Sequence, residues 1–99
     1  MFKESGNTAV FTTKFVLFDH KEIKWVYHDE EDGTWQFFSD DQFENFEEVA
    51  KIVSLDEIVK IDNSLLQLSD MDVGYSAHRN SKQYPWIIEK KISSSSNPT

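Results

Sequence analysis

The chain has 99 residues, 18 Asp and Glu against 10 Lys and Arg, a formal net charge of −8 and no cysteine. The missing thiol excludes disulfides, thiolate nucleophiles, thiolate zinc sites and iron–sulfur clusters. The negative charge disfavours nucleic acid and membrane surfaces as partners.

At this length one core is expected, assembled around eight Phe, three Trp and three Tyr, whose large side chains bury much area apiece. Residues 1–7 and the low-complexity end, 93–99, read as disordered tails flanking a single domain at 8–92. Ala9 to Thr13 is rich in strand formers, and Lys14 to Phe18 is expected to turn helically. Ile23 to His28 alternates as a strand, and Asp29-Glu30-Glu31-Asp32-Gly33 supplies turn formers, so a hairpin with a five-residue acidic loop leads into a strand at Thr34 to Ser39. Placing the largest rings inward puts Trp25, Tyr27, Trp35 and Phe37 on the core face, and Val26, His28, Gln36 and Phe38 on the other.

Phe43, Phe46, Val49 and Ala50 are spaced for a short amphipathic turn before a strand at Lys51 to Val53. Ser54-Leu55-Asp56-Glu57 has the form of a capping box, in which the serine hydroxyl accepts from the Glu57 amide and the Glu57 carboxylate reaches back. Leu55, Ile58 and Val59 then share a helical face. Asp62-Asn63-Ser64 interrupts with cap formers before a second short helix carrying Leu65, Leu66, Leu68 and Met71, and Gly74 ends that region. Tyr75 to Arg79 and Trp86 to Lys90 read as a closing pair of strands. The order predicts an α+β fold, a mostly antiparallel sheet with two or three short helices packed on one side.

Two stretches carry a resemblance: Trp25-Val26-Tyr27-His28-Asp29-Glu30-Glu31-Asp32-Gly33-Thr34-Trp35-Gln36-Phe37 and Lys51-Ile52-Val53-Ser54-Leu55-Asp56-Glu57-Ile58-Val59-Lys60-Ile61-Asp62. Together they resemble a group of short bacterial proteins of unknown function, similar in turn to an immunity-protein-like domain. In that group a tyrosine-rich strand, an acidic turn and a Gly-x-Trp-x-Phe strand precede a Val-Ser-Leu-acid-Glu-Ile helix. The resemblance spans roughly residues 9 to 90 and departs from the pattern at Asp72-Val73-Gly74-Tyr75, where a proline-bearing turn is expected. It implies a bacterial, cytoplasmic protein that blocks a toxin by binding it, and it brings no catalytic set. The cysteine-free composition and the absence of a signal-like apolar start agree with a cytoplasmic location.

Residue chemistry narrows the function further. His20, His28 and His78 have no metal-ligand spacing, and the acidic loop lacks carboxylates at the first and last positions of a calcium loop, so no metal site is expected. No Gly-x-Ser-x-Gly elbow or phosphate-cradling glycine loop is present, so neither an enzyme nor a cofactor is expected. What stands out is charge: nine carboxylates fall within residues 29–48, a span without Lys or Arg. The leading expectation is a non-enzymatic acidic domain that binds another, basic, protein through Asp29, Glu30, Glu31, Asp32, Phe38, Phe43, Glu47 and Glu48. The alternative is a small-ligand-binding or hydrolytic domain with a pocket lined by Trp25, His28 and Trp35.

Overall fold

Residues 2–90 are described by a computed structural model. Along the chain come β1 (Ala9–Thr13), α1 (Lys14–Leu17), β2 (Trp25–His28), β3 (Trp35–Phe38), α2 (Phe46–Val49), β4 (Ala50–Ser54), α3 (Leu55–Ile61), a 3₁₀ helix (Asn63–Leu68), β5 (Tyr75–His78) and β6 (Ile87–Lys90). The six strands form one sheet in the order β4-β1-β3-β2-β5-β6. Every pairing is antiparallel except β1 with β3, which is parallel, so the α+β sheet is mixed.

Local chemistry explains the element boundaries. The Glu57 amide donates to Ser54 Oγ at 3.1 Å and the Ser54 amide donates to Glu57 Oε1 at 2.9 Å, closing the capping box that starts α3. Two further amides of its first turn, Leu55 and Asp56, donate to the carbonyls of Thr8 and Gly6. Asp62 ends α3 and caps the 3₁₀ helix through the Ser64 amide. Gly33 and Gly74 take φ of +72° and +85° in their turns, a region open to glycine at little cost.

One face of the sheet is covered. Val10, Val26, Trp35, Phe37 and Ala77 meet Val16 of α1, Leu55 and Ile58 of α3, and Leu65 and Leu68 of the 3₁₀ helix in one apolar cluster. These three elements are the helices on one side that the sequence predicts. Helix α2 sits differently, with Phe46 leaning on Phe11 and Phe38, at the end of the opposite face.

Within residues 2–7, expected as part of a tail, Phe2 is buried, its ring edge-on to Trp35 at 4.9 Å, and Glu4 accepts from Trp35 Nε1 at 3.0 Å. The expected tail at 93–99 lies outside the described residues.

The facing of β2 is a correction. Val26 and His28 face the core, while Trp25 and Tyr27 face away. His28 pairs with Trp35 and Trp25 with Phe38, which leaves six residues in the hairpin loop where five were expected. Residues directly opposite share a face, and a shift of one residue turns a strand over. With Trp35 and Phe37 inward, a six-residue loop obliges His28 and Val26 to follow them.

Candidate functional site

The hairpin that carries the sequence-predicted acidic residues is closed by backbone bonds, Asp29 N–H to Thr34 O at 2.9 Å and Gly33 N–H to Asp29 O at 3.0 Å. Within the turn, Asp29 Oδ1 accepts from the Glu31 amide and Asp32 Oδ1 from the Thr34 amide. The side-chain and backbone hydrogen bonds of Thr34 hold the Asp32 carboxyl below its ordinary pKa. Glu30, Glu31 and Asp32 are exposed and Asp29 is half-buried.

The second acidic group lies at the other end of the same strands. Asp40 and Asp41 follow the end of β3, and Glu47 and Glu48 stand exposed in the first turn of α2, where the Asn45 side chain accepts from the Glu47 amide. Asp40 is not free of cations, since Lys24 Nζ lies 3.2 Å from its Oδ2 across the sheet. Phe38 and Phe43 belong to this end, packed with Phe46 at centroid separations of 5.5 to 6.3 Å. The structure therefore brings Phe38, Phe43, Glu47 and Glu48 together. Asp29 to Asp32 stand apart from them by the length of β3, about 10 Å for four residues.

Between the two acidic ends runs a face that no helix covers beyond Phe46. Trp25 lies at its centre, its ring parallel to Tyr27 within 5° at 6.4 Å and stacked on His78 at 5.0 Å. Trp25 is 38% exposed, and Ile52 and Ile87 on the flanking edge strands are 65% and 51% exposed. The register places Ile52, Phe11, Gln36, Tyr27 and Ser76 in one row across the sheet, and Phe38, Trp25, His78 and Ile87 in the next. Tyr27 is partly buried there, which raises its phenol pKa above the ordinary value. Sequence reasoning missed this face because it sent Trp25 and Tyr27 inward. The hairpin loop length was the signal that could have found it.

The alternative pocket of Trp25, His28 and Trp35 is not formed, because Trp25 is on the opposite face from the other two. His28 and Trp35 stack at 3.9 Å beneath the N-terminal segment. They line a cavity of about 260 Å³ with Lys3, Glu4, Gly33, Ser69, Asp70, Met71, Asp72 and Val73. Three of its polar side chains are engaged with their neighbours: His28 Nδ1 is 2.8 Å from the Met71 carbonyl and so donates to it, and Trp35 Nε1 donates to Glu4, whose carboxylate lies 3.7 Å from His28 Nε2. This arrangement anchors the N-terminal segment and the Met71 turn to the sheet. His20 sits exposed in the loop after α1, His28 is buried, and His78 belongs to the open face. Among the described residues no three His, Asp or Glu side chains are grouped to hold a metal.

A buried ion pair ties the far end of the core together. Arg79 contacts Asp62 through Nη2, donates from Nε and Nη2 to the Ile23 carbonyl at 3.1 and 2.9 Å, and donates from Nη1 to Ser64 Oγ at 2.8 Å. Its guanidinium lies over the Trp86 ring at 4.0 Å. Burial alone would raise the Asp62 carboxyl pKa, but hydrogen bonds from Ser64 and Arg79 outweigh it and hold the group below its ordinary value.

A family model described as the immunity protein Imm33 domain matches residues 10–88. The chain belongs to this family. No curated protein and no solved structure matches it. The Imm33 match runs from Val10 in β1 to Ile88, halfway along β6, so both acidic groups and all of the open face but its ends in β1 and β6 lie inside the family domain. The anchoring Phe2 and Glu4 of this Imm33 chain lie before the matched residues.

Proposed function

We propose that this chain neutralises a bacterial toxin in the cytoplasm by binding it stoichiometrically, without catalysis. The observation that carries the reading is the Imm33 match over residues 10–88. The structure supports it with a sheet face that exposes aromatic and apolar side chains between two acidic groups. Protein interfaces are built from such an apolar, aromatic centre within a polar rim. The toxin is basic, and the carboxylates of Asp29, Glu30, Glu31, Asp32, Glu47 and Glu48 steer it towards Phe38 and Phe43. Exposed charges of this kind raise association rates and set specificity more than they add affinity.

The test is to capture the toxin by pull-down, co-express the chain with it and then titrate the purified proteins. Protection of the cells and inhibition that saturates at one chain per toxin support the reading. Neutralisation by far less than one equivalent would reveal turnover and overturn the non-catalytic part. A toxin that remains fully active in excess chain would overturn the whole.

A further inference from the structure

We propose that the uncovered face of the sheet, centred on the Trp25, Tyr27 and His78 stack, is the docking site for an arginine-bearing segment of the toxin. The inference rests on the toxin-binding reading and deepens it by naming the face and the chemistry of its occupant.

The charge pattern selects the occupant. The register assigns Phe11, Thr13, Trp25, Tyr27, Gln36, Phe38, Ile52, Ser76, His78, Ile87 and Glu89 to this face, and none of these positions is Lys or Arg. Glu89 is the charged residue among them, with one oxygen 4.0 Å from His78 Nδ1. The ends of the face are acidic, with Glu30 and Glu31 at one and Asp41, Glu47 and Glu48 at the other. A second copy of the chain would bring the same carboxylates against these, and an anionic lipid surface would be repelled in the same way. A cationic partner meets attraction at the centre and at both ends.

The ring geometry distinguishes arginine from lysine. Trp25 and Tyr27 stand parallel and Trp25 is more than a third exposed, so a planar group can lie against the row. A guanidinium stacks on aromatic faces, is more weakly hydrated than an ammonium, and engages a carboxylate with two parallel N–H donors. Glu89, two residues from Ile87 on the same face of β6, is the carboxylate placed for that bond. This chain already makes a contact of that type internally, where Arg79 lies over Trp86 and reaches Asp62.

The decisive experiment measures toxin affinity by calorimetry for the wild-type chain and for Trp25→Ala, Glu89→Lys and Leu66→Ala. Leu66, 45% exposed on the 3₁₀ helix of the covered side, is the control. Circular dichroism and the melting temperature establish that each variant is folded. In parallel, amide exchange of the wild-type chain with and without toxin maps the contact independently of any substitution. The expected result is a Kd weakened about thirtyfold or more by Trp25→Ala, as at an interface hot spot, and about tenfold by Glu89→Lys. Leu66→Ala should leave it within about twofold, and protection should concentrate on β2, β5 and β6. Wild-type binding that Trp25→Ala and Glu89→Lys leave intact, protection on α3 and the 3₁₀ helix, or a protected toxin segment without arginine would overturn the docking site while leaving toxin binding standing. A wild-type chain that binds no toxin overturns both.

Discussion

Two tryptophans ten residues apart show how a single side chain's surroundings set its role. Trp35 is 1% exposed, held edge-on by Phe2, stacked by His28 and hydrogen-bonded to Glu4. Trp25 stacks with Tyr27 and His78 but remains 38% exposed. Trp35→Ala should therefore cost about 3–5 kcal/mol, a large share of the stability of a domain this small. Trp25→Ala should cost only about 1 kcal/mol, the worth of its ring contacts. Guanidinium denaturation of both variants checks the contrast, and equal losses would contradict the face assignment of β2.

Asp62 makes a second residue-scale prediction. Its folded pKa lies below the unfolded value, so the stability it contributes is complete above about pH 4–5 and is lost as pH falls through the folded pKa. Asp62→Asn removes that dependence and leaves Arg79 buried without its counter-charge, a loss of about 3–5 kcal/mol at neutral pH. Urea midpoints measured from pH 7 down to pH 2 should fall more steeply for the wild type than for the variant. Parallel curves would show that Asp62 is not the acid-sensitive group.

At the scale of elements, short local signals decide where helices and turns begin. Ser54→Ala removes the hydroxyl that accepts from the first turn of α3 and should cost about 0.5–2 kcal/mol. A thermal melt superimposable on the wild type would show that the hydroxyl contributes nothing. Gly33 separates backbone from packing: a Cβ there would meet nothing within 4 Å, yet its φ is +72°. Gly33→Ala should thus cost about 1–2 kcal/mol through backbone strain alone, visible as a lower denaturation midpoint with an unchanged m-value. The parallel pairing of β1 with β3 has no comparable local signal. It depends on β4 returning along β1 and on the long excursion from Thr13 to Trp25.

Across the whole molecule, charge is distributed about the open face rather than gathered in one rim. Nine carboxylates within residues 29–48 divide between the hairpin turn and the α2 end. At physiological salt each field is screened beyond about 8 Å, so the two ends act on a partner separately. Replacing Glu30 and Glu31 with Gln should slow toxin association, replacing Glu47 and Glu48 should slow it independently, and the four changes together should multiply the two effects. Stopped-flow mixing at low and high salt reads this directly: the fourfold variant should lose most of the salt dependence. An association rate that neither slows nor loses its salt dependence would remove the steering role.

The sequence by itself determined the elements and their order. Alternation in Ile23 to His28, the capping box at Ser54 to Glu57, the Asp62 cap and the Gly33 turn each depend on residues within a few positions of one another; the caps and the turn are found where those residues predict them, and β2 forms over the last four residues of its predicted stretch. The carboxylates and aromatic residues of the candidate site were legible for the same reason, as types in a stretch of chain. Tertiary structure alone decided which face Trp25 and Tyr27 occupy, that Phe2 and Glu4 close over Trp35, and that Arg79 finds Asp62. The last two outcomes depend on partners distant in sequence. A strand repeats every two residues, so a single added residue in the hairpin loop inverts a face without altering any local preference.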